Sequence, residues 1–266
     1  YFDTSAKILV VDDHPVNLLF MRKVLRKLGY QHADEAASGK EAIELAQTNR
    51  YDLIFMDCQM PEIDGFEAST IIREREELIG DIKIVAVTAD AMKGAREKCL
   101  DSGMNDYISK PVDVEKLKTI LGEWLPGKPG NDDCRISATV QGLSELVSNA
   151  KPSNDSGDID HLEMVMDWDR LKMFTDDDPE EEKLLIKMFT DHAIESLTIL
   201  ENCHEGEDEI WRKAAHKLKG SAANMGAQIL SNTCLEAEKN FDSSIEKKQE
   251  ILTQILLSYQ AVKTLL

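Results

Sequence analysis

The 266 residues carry 31 Lys and Arg against 50 Asp and Glu, a net charge of −19. That balance argues against nucleic acid or an anionic membrane surface as partner, since both need clustered basic residues. No stretch approaches the roughly 20 apolar residues of a membrane-spanning helix. The five cysteines (58, 99, 134, 203 and 234) are scattered and form no C-x-x-C pair, which fits reduced cytoplasmic thiols better than a disulfide framework or a zinc site. The chain opens at Tyr1 with neither an initiator Met nor a signal-peptide pattern, and is expected to be cut from something longer.

Residues 1–122 alternate short apolar runs with amphipathic segments. KILVV (7–11), LIFM (53–56) and KIVAVT (83–88) are predicted strands, with weaker ones at 31–36 and 105–109. Helical patterns fall near 15–28, 39–48, 65–78, 91–102 and 113–121. Such alternation predicts an α/β doubly wound parallel sheet, with its crevice at the carboxyl ends of the strands. Residues 123–158 contain the turn-former clusters LPGKPGNDD and NAKPSNDSGD and read as a flexible linker, with room for a short helix over 136–149. From 159 to 266 no strand pattern remains. Helices near 160–174, 179–204, 207–224, 227–240 and 243–264 predict an all-α bundle.

The polar residues of the first half fall where its strands end. Asp12 and Asp13 follow KILVV, Asp57 follows LIFM, Thr88 ends KIVAVT, and Lys110 follows the weak strand NDYIS. A doubly wound sheet gathers all of them into one crevice. Three carboxylates so close repel one another, and a hard divalent cation such as Mg²⁺ would relieve the repulsion. Mg²⁺, a lysine and a hydroxyl together suit a transferring phosphoryl group. A carboxylate can be its covalent acceptor, and Asp57, alone at the end of the central strand, is the best placed.

VVDDH, MDCQMPEIDG, AVTADA and the Lys110–Pro111 pair resemble the receiver domain of bacterial response regulators, over about residues 5–122. The resemblance implies a five-stranded sheet of order 2-1-3-4-5 and Asp57 as phosphoacceptor. It implies that Asp13, Asp57 and the main-chain carbonyl of Gln59 hold Mg²⁺, with Asp12 acting mostly through water. Thr88 and Lys110 would contact the phosphoryl oxygens, Tyr107 would be the switch aromatic, and the Lys110–Pro111 bond would be cis. His14 departs from the family, in which acidic or amide residues are more usual, and bears on metal affinity.

AAHKLKGSAANMGA (214–227) carries a glycine in a helical pattern, at a cost of roughly 1 kcal/mol against alanine. At about 100° per residue, Ile210, Trp211, Ala214, Ala215, Leu218, Ala222 and Met225 form the core stripe. His216 lies about 160° from Ala214 and Leu218, and is expected to be exposed beside Arg212, Lys219, Gly220 and Ala223. A glycine there points to close approach by another backbone. A neutral imidazole, with a free pKa of about 6.5, is a competent nucleophile. The stretch resembles the histidine phosphotransfer (HPt) motif, within a four-helix bundle over 159–266. That implies His216 as the phosphorylated residue, Lys219 and Gly220 as helpers, and Gly226 as the motif's last glycine. The other histidines (14, 32, 161, 192 and 204) are expected to be surface or loop residues.

Together these features predict a phosphorelay pair, as in the C-terminal part of a hybrid sensor histidine kinase. Its partners would be a kinase core, in cis or in trans, and a downstream receiver docking at His216. Nothing resembles the kinase's dimerisation box or its ATP-binding glycine boxes, so this chain is not expected to use ATP. The alternatives are an independent receiver–HPt relay protein and a non-catalytic adaptor. A phosphatase of the haloacid dehalogenase type would want Asp-x-Asp after the first strand, whereas Asp12 and Asp13 are adjacent.

Overall fold

A computed structural model of the chain describes residues 3–75, 81–88, 95–126, 165–175, 178–203 and 206–266. The segment expected to hold a helix over 136–149 lies outside these residues. Strands β1 (Ile8–Val11), β2 (Ala33–Ala36), β3 (Leu53–Asp57), β4 (Lys83–Thr88) and β5 (Asp106–Ser109) form a parallel sheet in the order β2-β1-β3-β4-β5. Helices α1 (Pro15–Lys27), α2 (Gly39–Thr48), α3 (Gly65–Glu74), α4 (Ala95–Asp101) and α5 (Val114–Trp124) connect them.

The central strands read as unbroken apolar runs because helices cover both faces. Successive residues point to opposite sides. Ile8, Val10, Leu53, Phe55, Val85 and Val87 pack with α1 and α5. Leu9, Val11, Ile54, Met56, Ile84 and Ala86 pack with α2 and α3. The side chains of Ser38, Asp64 and Asp113 accept backbone hydrogen bonds from the first turns of α2, α3 and α5 and fix where those helices begin. Register then aligns the strand ends: Val11 pairs with Met56, Asp57 with Val87, and Thr88 with Ser109.

The second half is helical: α6 (Trp168–Thr175), α7 (Pro179–Glu201), α8 (Asp208–Asn224), α9 (Gln228–Lys239) and α10 (Ile245–Leu265). Helices α7 to α10 pack as a closed four-helix bundle around Phe189, Trp211, Leu218, Leu230, Ile255 and Val262. The predicted stripe of α8 is buried except for Ile210, which is 50% exposed in the helix's first turn, at the edge of the stripe. Gly226 closes α8 with a φ of 81°, the left-handed conformation common just past a helix end.

The halves are not the independent bodies that a flexible linker leads one to expect, because α1 packs against α6, α7 and α8. Val16, Phe20, Leu171, Leu185 and Met225 belong to one apolar cluster that crosses the boundary. Polar contacts frame it. Asn224 Nδ2 donates to Asn17 Oδ1 at 2.7 Å, and Lys23 pairs with Glu181. The rings of His14 and His192 lie 4.6 Å apart between centroids, so His14, a loop residue as expected from sequence, is buried at the interface and not on the surface. His32 is exposed and His192 half-buried, while His161 and His204 lie outside the described residues.

Gly220 and Gly226 respond differently to a methyl group. A Cβ on Gly220 would meet only Asn17 Nδ2, at 3.9 Å, whereas one on Gly226 would lie 2.6 Å from the carbonyl oxygen of Asp167. Gly220→Ala is expected to leave stability unchanged or to raise it by up to about 1 kcal/mol. Gly226→Ala combines that clash with left-handed strain and is expected to cost on the order of 1–3 kcal/mol. Thermal melts of both variants check this, and equal shifts would contradict it.

Candidate functional site

Asp12, Asp13 and Asp57 each bring a carboxylate oxygen to the carboxyl end of the sheet, all within 4.8 Å of one another. Lys110 reaches them from the end of β5, donating from Nζ to Asp12 Oδ2 at 2.7 Å and to Asp57 Oδ2 at 2.8 Å. Its backbone N–H donates to the carbonyl of buried Thr88 at 2.6 Å, and the Lys110–Pro111 bond is cis. Asn17 Nδ2 donates to both Asp12 oxygens at 2.9 and 3.0 Å, and the His14 N–H to Oδ1 at 2.9 Å. The Gln59 N–H donates to Asp57 Oδ1 at 3.2 Å. Tyr107, on β5, is half-buried against the core on the α2 and α3 side.

One ammonium is shared between two buried carboxylates, and the electrostatics reflect the shortage. Burial pushes Asp57 up to about 7, with Asp12 adding to the rise, although Lys110 and the Gln59 N–H oppose it. Burial alone would lower Lys110, but Asp12 and Asp57 together hold it above its ordinary value. His14 is driven down to about 4 chiefly by burial and is neutral at pH 7.

The histidine of the second motif stands on α8. His216 Nδ1 lies 2.8 Å from Glu238 Oε1, and Lys219 pairs with the other oxygen of that carboxylate. A carboxylate only accepts, so Nδ1 carries the proton and Nε2 keeps its lone pair. Burial lowers the His216 pKa; Glu238 opposes this, and Lys219 and Lys110 reinforce it. Burial would raise Glu238, but His216 and Lys219 outweigh it and draw it down to about 2.

His216 is buried, not exposed as the helical pattern predicts. It does point away from the bundle's own core stripe, but α9 and the first half of the chain cover that face. The close backbone approach expected at Gly220 is not found: a Cβ there would meet only the Asn17 side chain, at an ordinary contact distance of 3.9 Å. The two sites face each other. Lys217, next to His216, pairs with Asp13 at 2.5 Å without the geometry of a hydrogen bond. A cleft between the loop after β3 and α8 is lined by Gln59, Met60, Glu62, Lys98, Arg212 and His216.

Asn17, Lys217, Asn224 and Glu238 escape the sequence reading. Asn17 lies one turn into α1 after the acidic pair, which is a usable signal. Glu238 is 22 residues from His216 on another helix and leaves no local trace.

Residues 8–122 match the response regulator receiver domain family, and residues 184–265 the Hpt domain family. The signal transduction histidine-protein kinase BarA of Escherichia coli (strain K12) is 30% identical over 253 residues, covering 95% of this chain and 26% of that protein. Hybrid signal transduction histidine kinase B of Dictyostelium discoideum is 47% identical over 121 residues, covering 42% of this chain and 6% of that protein. Among solved structures, the receiver domain of a sensor histidine kinase from Pseudomonas aeruginosa is 42% identical, with a TM-score of 0.42. It covers 46% of this chain and 98% of that one. The chain thus carries a receiver domain over residues 8–122, followed by an Hpt domain over residues 184–265. The same pairing of domains links it to hybrid histidine kinases, and it spans about a quarter (26%) of the length of the BarA kinases it matches.

The Asp57 shift has a measurable consequence for stability. A carboxyl raised from 3.8 to about 7 by folding opposes folding once it ionises. The penalty is absent below the unfolded pKa, grows as pH rises towards 7, and is constant above that. In EDTA at pH 8, Asp57→Asn is expected to be more stable than wild type by about 1–3 kcal/mol, with the gain fading by about pH 4. Melts across that range check the sign, which a stabilising Asp57 charge would reverse.

Proposed function

We propose that the chain passes a phosphoryl group between Asp57 of the receiver and His216 of the HPt domain, as the C-terminal part of a hybrid sensor histidine kinase. The observation that carries this reading is the mutual approach of the two motifs, with Lys217 beside His216 touching Asp13 beside Asp12. The receiver would take residues 1–122, the linker 123–158 and the HPt domain 159–266. A kinase core would supply phosphate, and a downstream receiver would compete for the docking face around His216. Among the described residues no helix is long and apolar enough to cross a membrane, which is compatible with a cytoplasmic site of action.

The acidic cluster fits Mg²⁺: three carboxylates converge on one small volume, and Lys110 alone leaves them with excess negative charge. Asp13, Asp57 and the Gln59 carbonyl would hold the ion, with Asp12 behind a water. When bound, Mg²⁺ supplies positive charge to the equatorial oxygens of the transferring group.

The remaining steps belong to the chain's own residues. An Asp57 oxygen attacks phosphorus of the donor and forms a mixed anhydride while the donor's P–N or P–O bond breaks. Lys110 and the Thr88 hydroxyl steady the phosphoryl oxygens, and Tyr107 follows Thr88 inward as it moves. His216 Nε2 then attacks the same phosphorus, the Asp57 O–P bond breaks, and its electrons return to the carboxylate. Glu238 keeps the proton on Nδ1 throughout, so no proton need leave the imidazole. Lys219 holds Glu238 in place and lends positive charge to the phosphorylated histidine. Gly220 faces Asn17 on α1 of the receiver.

Labelling with acetyl phosphate tests the assignment. Wild type is expected to incorporate phosphate with Mg²⁺ and to lose it with EDTA, while Asp57→Asn should label at least about 100-fold more slowly. His216→Gln should keep the base-labile aspartyl phosphate and lose the acid-labile, base-stable phosphohistidine. Labelling of Asp57→Asn at the wild-type rate would refute the assignment.

A further inference from the structure

Lys110 is committed to Asp12 and Asp57, at 2.7 and 2.8 Å. Asp13 is instead paired with an ammonium from the other domain: Lys217 Nζ lies 2.5 Å from its Oδ2, and the Asp13 side chain is only 9% exposed. Resting on the metal reading above, we infer that Lys217 and a divalent cation compete for Asp13, so that metal binding and docking of the chain's own HPt domain oppose each other.

The competition is steric as well as electrostatic. Mg²⁺ sits about 2.0–2.1 Å from its oxygen ligands and demands near-octahedral geometry. An ammonium 2.5 Å from the same carboxylate oxygen occupies that approach. Lys217 belongs to α8, one residue from His216, so it reaches Asp13 only when the HPt domain is seated on α1. By reciprocity, whatever factor docking takes from metal affinity, metal takes from docking.

The effect is a bias and not an exclusion. The Asn17–Asn224 hydrogen bond, the Lys23–Glu181 pair and the apolar seam do not involve Lys217. A receiver loaded with metal therefore holds its own HPt domain less tightly and offers His216 more readily to another receiver. With Lys217 on Asp13 the two domains are closed on each other, and its ammonium supplies part of the positive charge that the carboxylates demand.

Calorimetric titration of the whole chain with MgCl₂ alone, at fixed ionic strength, tests this. Lys217→Gln is expected to bind Mg²⁺ about five-fold more tightly than wild type, or more. Lys23→Glu faces Glu181 with like charge, outside the acidic cluster, and should open the interface and tighten Mg²⁺ binding similarly. In the Lys23→Glu background, Lys217→Gln should then add little. Lys217→Met serves as a second neutral variant, with circular dichroism confirming the fold of each. Mg²⁺ affinities of both neutral variants within about two-fold of wild type would overturn the inference and leave the metal reading intact. A full Lys217→Gln effect persisting in the Lys23→Glu chain would also overturn it, because docking would then be irrelevant. Absence of Mg²⁺ binding in every variant and in wild type would refute the metal reading and this inference with it.

Discussion

Three carboxylates held against a single receiver ammonium, at the carboxyl end of a buried sheet, govern much of what surrounds them. Lys110 bridges Asp12 and Asp57 and cannot neutralise both, which is why folding raises Asp57 while Lys110 is itself held protonated. The remaining demand for positive charge and donors is met from several directions. Asn17 donates to both oxygens of Asp12, the backbone N–H groups of His14 and Gln59 face the cluster, and Lys217 comes from another domain. Such a site is poorly satisfied by the receiver alone. The same shortage makes it receptive to a cation and to a phosphoryl group accompanied by one.

The histidine site is built on the opposite principle. Glu238 is well supplied with donors, one of them the Lys219 ammonium, and its carboxylate is drawn down to about 2 as it orients His216 and anchors Lys219. An acidic group fixes the tautomer of the nucleophile, while Lys219 offsets that carboxylate's pull towards a doubly protonated ring. One site is short of positive charge and the other holds it ready. Bringing them together relieves the first, and Lys217 is the visible token of that exchange.

Where a residue's role depends on its own strand or helix, the sequence announces it. The unbroken run Ile8–Val11 places Asp12 and Asp13 just past a buried strand, and the run 53–56 does the same for Asp57. The two motifs are likewise short enough to be read directly. Legibility fails where a second element decides the environment. A helical wheel describes how α8 meets its own bundle and says nothing of α9 or of the receiver, so His216 looks exposed and is buried. Asn17 and Asn224 are 207 residues apart, and their hydrogen bond has no local signature. His14 follows the same pattern: a loop position by sequence, it is interior in the fold, with His192 of α7 against its ring.

The apolar cluster shared by α1, α6, α7 and α8 gives the two domains a common fate. Val16 and Phe20 are buried by groups contributed from beyond residue 165, so part of the receiver's own core is completed only by the HPt domain. Denaturant sensitivity scales with the surface exposed on unfolding. A chain whose halves share a core therefore melts more steeply than either half would alone. Amide protons of α1 would exchange on the schedule of the weaker domain. The receiver's first helix thereby acts as a gauge of whether the HPt domain is seated, readable by hydrogen exchange without any phosphate present.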